Sequence, residues 1–263
     1  MNNDVWIDDL LDKGRTLYDD GLYKEAINCF DEVIKLNPNN DIAYLNLGVV
    51  YENLENYTQA IICCNKSIKL NSTEAKVYYN RGNIKCDLFK YKSAIKDYNK
   101  AIELNPSYAE AYNNRSVAKT NLEDYQGAID DSTKAIELKP NYAKAYCNRG
   151  MAKMGLENYI EAIENFKKAI ELNFNDVVVY NNIGVAYNFK SNYDEAIKCF
   201  EKIIELNPDD VNAYNNMGIS YILKSDYDKA IECFDEAIKL NHSYSQAWEY
   251  KERVLECVKS MGF

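Results

Sequence analysis

Six asparagines stand 34 residues apart: Asn46, Asn80, Asn114, Asn148, Asn182 and Asn216. A carboxamide is at once donor and acceptor, so a row of them on one face can grip the backbone of an extended peptide whatever its sequence. Three residues further on, a second series reads Val49, Asn83, Val117, Met151, Val185 and Ile219, with Arg15 and Arg253 at its two ends. With Phe189, Ile222 and Leu223 it forms an apolar strip toward the C-terminal half, of the kind that marks partner sites. Ile222 and Leu223 have a second reading, as packing beneath the last helix.

A third constellation is charged. Arg81, Arg115 and Arg149 are each followed one helical turn later by Lys85, Lys119 and Lys153, and the same repeats carry Asp97, Asp131 and Asn165. At the equivalent places other repeats pair Leu47 with Cys63, Ile183 with Cys199 and Met217 with Cys233. A polar pair exchanged for an apolar pair is the signature of two side chains in contact, and it predicts ion pairs from Arg81 to Asp97 and from Arg115 to Asp131. The alternative is a basic patch for an acidic partner. No nucleophile has a His partner and no glycine-rich loop could cradle phosphates, so no enzymatic activity is expected.

The eight Cys raise the question of a metal or disulfide framework. Cys29, Cys63, Cys199 and Cys233 share one place in the repeat and the only His is His242, so reduced structural thiols are expected, with no metal and no cofactor. A formal net charge of -10, from 31 basic and 41 acidic residues, disfavours sequence-independent nucleic-acid binding and anionic membrane surfaces. The stretch MNNDVWIDDLLDKG has neither the basic start nor the apolar core of a signal peptide. No run of apolar residues is long enough to span a bilayer. A cytoplasmic protein is expected.

The elements that position these residues repeat without insertion. Counting from Ile7, the repeats are 7–40, 41–74, 75–108, 109–142, 143–176, 177–210 and 211–244. Each holds two helical patterns. In the second repeat Tyr44, Leu47, Gly48 and Tyr51 keep the i, i+3, i+4, i+7 spacing of one helix face, and Ala60, Ile61 and Cys64 begin the next helix. Polar residues such as Asn53 to Asn56 mark a tight turn between them. Tyr recurs at position 17 and Ala-Ile at positions 20 and 21 in all seven repeats. The Ala and the Gly at position 8 let the two helices approach closely. All four prolines fall at position 32, where they stop the second helix, and His242 takes that place in the last repeat. Strict periodicity of this length reads as a solenoid.

With an aromatic at position 4, Gly at 8, Tyr at 11, Ala at 20, an aromatic at 24, Ala at 27 and Pro at 32, the chain resembles the tetratricopeptide repeat (TPR) proteins from residue 7 to 244. Departures are local: Leu10, Ser116, Cys64, Ser132, Ser72 and Phe174 replace motif residues. The resemblance implies an all-α fold, a right-handed TPR superhelix or α-solenoid of antiparallel helix pairs, forming a single array over 1–263. Residues 1–6 would extend the first helix or fray, and a capping helix over 245–260 would cover the last repeat. The resemblance also implies that first helices line a concave groove and that positions 2, 5, 6, 9, 12 and 13 face it. Position 6 is the asparagine row, which looks like the ladder in the TPR superhelix of the O-linked N-acetylglucosamine transferases. Its other reading is support for neighbouring helices. A clamp for the acidic tail of heat-shock chaperones is rejected, because Tyr79 and Asn148 stand where two of its three cations belong. The function implied is a protein-interaction scaffold with an unidentified protein or peptide partner. The alternative is a self-assembly module that dimerises or stacks through its terminal helices.

Overall fold

Seven alanines at one place in the repeat, Ala26, Ala60, Ala94, Ala128, Ala162, Ala196 and Ala230, have no exposed surface at all. Each is completely enclosed, and a larger side chain there overpacks its surroundings at a cost of about 1–3 kcal/mol. The glycine opposite has its own reason. A Cβ added to Gly14, Gly82, Gly150, Gly184 or Gly218 would lie 2.5–2.7 Å from the ring of Phe30, Tyr98, Phe166, Phe200 or Phe234 respectively. So Gly makes room for the aromatic of the same repeat. In the fourth repeat both members change together: Ser116 stands for Gly and Ser132 for the ring, and both are fully buried.

The computed structural model describes residues 3–260, and all its elements are α-helices. They are α1 (Asn3–Asp19), α2 (Tyr23–Leu36), α3 (Asp41–Asn53), α4 (Tyr57–Leu70), α5 (Ala75–Asp87), α6 (Tyr91–Leu104), α7 (Ala109–Thr120), α8 (Tyr125–Leu138), α9 (Ala143–Gly155), α10 (Tyr159–Glu171), α11 (Val177–Phe189), α12 (Tyr193–Leu206), α13 (Val211–Leu223), α14 (Tyr227–Leu240) and α15 (Ser245–Ser260). Residues 3–6 thus extend α1; residues 1 and 2 lie outside the described part.

The chain divides into two compact units, one up to Leu138 and one from Lys139. Within the first, α1 to α8 pack in chain order, and within the second, α9 to α15 do. In each unit a first helix also touches the first helix of the next repeat (α1 with α3, α3 with α5, α5 with α7; α9 with α11, α11 with α13). Within each unit, among the described residues, no second helix reaches the next second helix. First helices are therefore the crowded inner layer of each unit, and second helices the splayed outer one.

The turn inside each pair is the same seven times. The residue at position 15 adopts a positive φ: Gly21, Glu55, Phe89, Glu123, Glu157, Ser191 and Ser225. The amide after it closes back on the helix, as in Asn56 N–H to the Tyr51 carbonyl (2.8 Å) and Asp226 N–H to the Tyr221 carbonyl (2.9 Å). Second helices end on asparagine as much as on proline. Asn37, Asn71, Asn105 and Asn241 each accept the amide two residues on, at 3.0–3.1 Å. This explains why α4 stops on time although Ser72 replaces Pro.

α15 packs on α14 and buries Ala247 and Val254 in a cluster with Phe234, Ala237 and Ile238. The Trp248 indole N–H donates to the His242 carbonyl at 3.1 Å. Among the described residues no helix is long and apolar enough to cross a membrane. Burial pushes the thiols of Cys63, Cys147 and Cys199 up to about 11 and those of Cys64 and Cys233 up to about 12. All eight are unbridged.

Candidate functional site

The charged constellation is internal. Asp97, buried on α6, takes two bonds from the Arg81 guanidinium (2.9 and 2.6 Å) and a third contact from Lys85 Nζ at 2.6 Å. Asp131 on α8 repeats this with Arg115 (2.7 and 2.5 Å) and Lys119 (2.8 Å). The remaining guanidinium arm reaches back one repeat, from Arg81 to Asn65 and from Arg115 to Asn99, both at 2.6 Å. In the fifth repeat Arg149 Nε donates to Asn165 Oδ1 at 2.7 Å, and Lys153 turns to Glu161. Burial lowers both Arg81 and Arg149. At Arg81 the hydrogen bonds and charge of Asp97 more than reverse that; at Arg149, opposite a neutral amide, the shift stays downward. These cations serve the fold, so the basic patch for an acidic partner is set aside.

The asparagine row lies on the first helices. In the first unit Asn46 is half-buried, Asn80 is buried, and the Nδ2 of each is out of solvent with no hydrogen-bond partner. Both line a recess of ≈ 310 Å³ together with Arg15, Tyr18, Val49 and Lys76. Asn114 behaves differently. Its Nδ2 donates to Tyr79 Oη and Asn83 Oδ1, both at 3.0 Å, which ties α7 to α5. Val117 lines a neighbouring recess of ≈ 260 Å³ with Glu52, Asp87 and Asn83. In it the Glu52 carboxyl is pushed up to about 7, by burial first and by the charge on Asp87 second. Burial raises Asp87 as well.

In the second unit Asn148 is half-buried and Met151 exposed on α9. Asn182 Nδ2 on α11 is buried without a partner, and Asn216 Nδ2 on α13 donates to Asn181 Oδ1 at 2.8 Å. Val185 and Ile219 share a recess of ≈ 400 Å³ with Asn188, Phe189, Asn216 and Leu223. The two readings of Ile222 and Leu223 divide: Ile222 packs into the cluster under α15, whereas Leu223 faces the recess. Sequence reasoning missed Glu52, Asp87 and Asn188. All three sit at positions 12 and 13, already among the groove-facing places, but their type alone does not mark them.

Such a chain falls in a recognisable class, a helix-pair solenoid whose first helices present one continuous kind of surface within each unit. The chain belongs to the tetratricopeptide repeat family. The family model described as tetratricopeptide repeat matches residues 42–74, 75–108, 143–176, 177–210 and 211–244. Two related models, described as TPR repeat and tetratricopeptide repeat, match 14–55 and 97–130. Among solved structures, a tetratricopeptide repeat protein from Parabacteroides merdae is similar over 95% of this chain and 98% of its own, at 19% identity and a TM-score of 0.69. YrrB, a TPR protein with an unusual peptide-binding site, is 28% identical over 72% of this chain and 97% of its own, with a TM-score of 0.60. MamA is 31% identical over 61% of this chain and 94% of its own, with a TM-score of 0.56.

Proposed function

We propose that the protein is a non-enzymatic interaction scaffold that holds an extended partner segment on the inner face of its first helices. The observation that carries this reading is the set of amide groups left without partners on Asn46, Asn80 and Asn182, the first two in one recess with Val49. Buried polar groups are almost always hydrogen-bonded, and a modest side-chain rotation would offer these donors to a peptide carbonyl. YrrB, similar to this chain, is a TPR protein with an unusual peptide-binding site, which supports a peptide as the class of partner. Sequence preference would come from Val117, Met151, Val185 and Ile219, because backbone-directed bonds by Asn148 or Asn182 discriminate little. Asn114 and Asn216, already bonded to the preceding repeat, would orient the surface more than grip the ligand.

The test is selection of displayed random peptides against the full chain, followed by calorimetry of the recovered sequences. Each neutral hydrogen bond contributes about 0.5–1.5 kcal/mol net. Replacing Asn46, Asn80 and Asn182 together by Ala should therefore weaken binding by roughly 2–4 kcal/mol, with helicity unchanged. Undiminished affinity in that variant would remove the asparagine row from the site.

A further inference from the structure

The recess in the second unit differs from the others in what it lacks. Its lining, Val185, Asn188, Phe189, Asn216, Ile219 and Leu223, carries no charge. The neighbouring inward positions of the same helices, Val178, Asn181, Asn212 and Asn215, are uncharged too. One wall is the Phe189 ring, stacked on Tyr159 with centroids 4.8 Å apart and planes 2° from parallel. Phe189 is still 64% exposed, so the rest of its ring is open to a ligand.

One polar feature stands out. Asn188 Oδ1 is buried and has no partner. Its orientation is set by chemistry: the Ser220 hydroxyl spends its hydrogen on the Asn216 carbonyl at 3.0 Å and can only accept from Asn188. Asn188 must then present its Nδ2 to Ser220, which it does at 2.9 Å, and the oxygen is left over. An apolar recess with a stranded acceptor asks for an apolar group bearing one donor.

We infer that this recess takes a tryptophan side chain from an uncharged stretch of the partner segment, with the ring among Val185, Phe189, Ile219 and Leu223 and the indole N–H on Asn188 Oδ1, which a small tilt of the carboxamide about its Ser220 bond would bring to the recess surface. An indole has one donor and no lone pair to strand. A phenol would need a donor as well, and an ammonium or carboxylate would be desolvated without a counter-charge. Tryptophan is also among the residues that most often anchor interfaces by filling a pocket. The inference rests on the groove reading above.

The experiment is methyl NMR of the full chain titrated with acetylated, amidated peptides Gly-Ser-Xaa-Ser-Gly. The tryptophan peptide should shift the methyls of Val185, Ile219 and Leu223 saturably. Its 1-methyltryptophan counterpart, which lacks the donor, should bind roughly fivefold more weakly. The lysine peptide should leave those methyls unmoved, and Phe189→Ala, a change at an exposed side chain, should abolish the tryptophan response. Unmoved methyls with tryptophan, or equal binding by the leucine, lysine or methylated peptide, would overturn the assignment. A selected segment that loses affinity in the triple asparagine variant but ignores Phe189→Ala would overturn the indole recess alone. Affinity indifferent to the asparagines would instead sink the groove reading.

Discussion

Asp97 and Asp131 each neutralise two cations contributed by the facing helix, and each is about nine-tenths buried or more. Asp131→Ala strands Arg115 and Lys119 together, and breaking a buried pair costs about 3–5 kcal/mol. The denaturation midpoint should fall accordingly, with α7 and α8 losing amide-exchange protection first. Exchanging Arg115, Lys119 and Asp131 for the Leu, Tyr and Cys of the second repeat should cost far less, since no charge remains unpaired. These contacts were legible in the sequence because the register places positions 7, 11 and 23 of every repeat side by side for comparison. Glu52 was not legible, because its environment is made by burial between repeats first and by Asp87 of the following repeat second. Folded Glu52 keeps its proton to about pH 7, against a reference value of 4.5. Folding therefore takes up a proton between those limits, and stability falls as pH rises through the window. Glu52→Gln should be more stable than the parent above pH 7, by at most about 3 kcal/mol, and should match it below pH 4 in thermal melts.

Two helices in each repeat followed from the 34-residue spacing, yet the backbone of the turns did not. Only Gly21 advertises a left-handed residue; Glu55, Phe89, Glu123, Glu157, Ser191 and Ser225 adopt the same conformation without the usual residue type. The surrounding bonds, such as Ser225 N–H to the Ile222 carbonyl at 2.8 Å, over-determine it. For an ordinary L-residue that conformation costs about 1–2 kcal/mol, part of which a glycine returns as chain entropy in the unfolded state. Ser225→Gly should raise stability by roughly 0.5–1 kcal/mol, read as a higher melting temperature with unchanged circular dichroism. The paired change at Ser116 and Ser132 was visible in the sequence only as two separate departures. That the ring of one residue fills the space vacated by the other's missing Cβ needs the helices brought together.

Within each unit a repeat completes its core with its neighbour, so the last repeat depends on α15. A chain ended after residue 244 loses Ala247 and Val254 and uncovers Phe234, Ala237 and Ile238. It should melt earlier and associate at concentrations where the parent does not, as light scattering would record. The inner face, by contrast, was only half legible. The asparagine row is where its spacing put it, but whether each carboxamide is bonded, as Asn114 and Asn216 are, or unpartnered, as Asn46, Asn80 and Asn182 are, depends on side chains one repeat away.

Neighbour-only packing also has a mechanical side. A load applied across the ends of either unit runs through its helix pairs in series, with no second route to share it. The weakest pair would give way first and leave the others standing, so extension would come in steps. Each step would release one 34-residue repeat, at most about 120 Å of straightened chain. A protein built this way yields gradually under tension and can recoil pair by pair when the tension is removed.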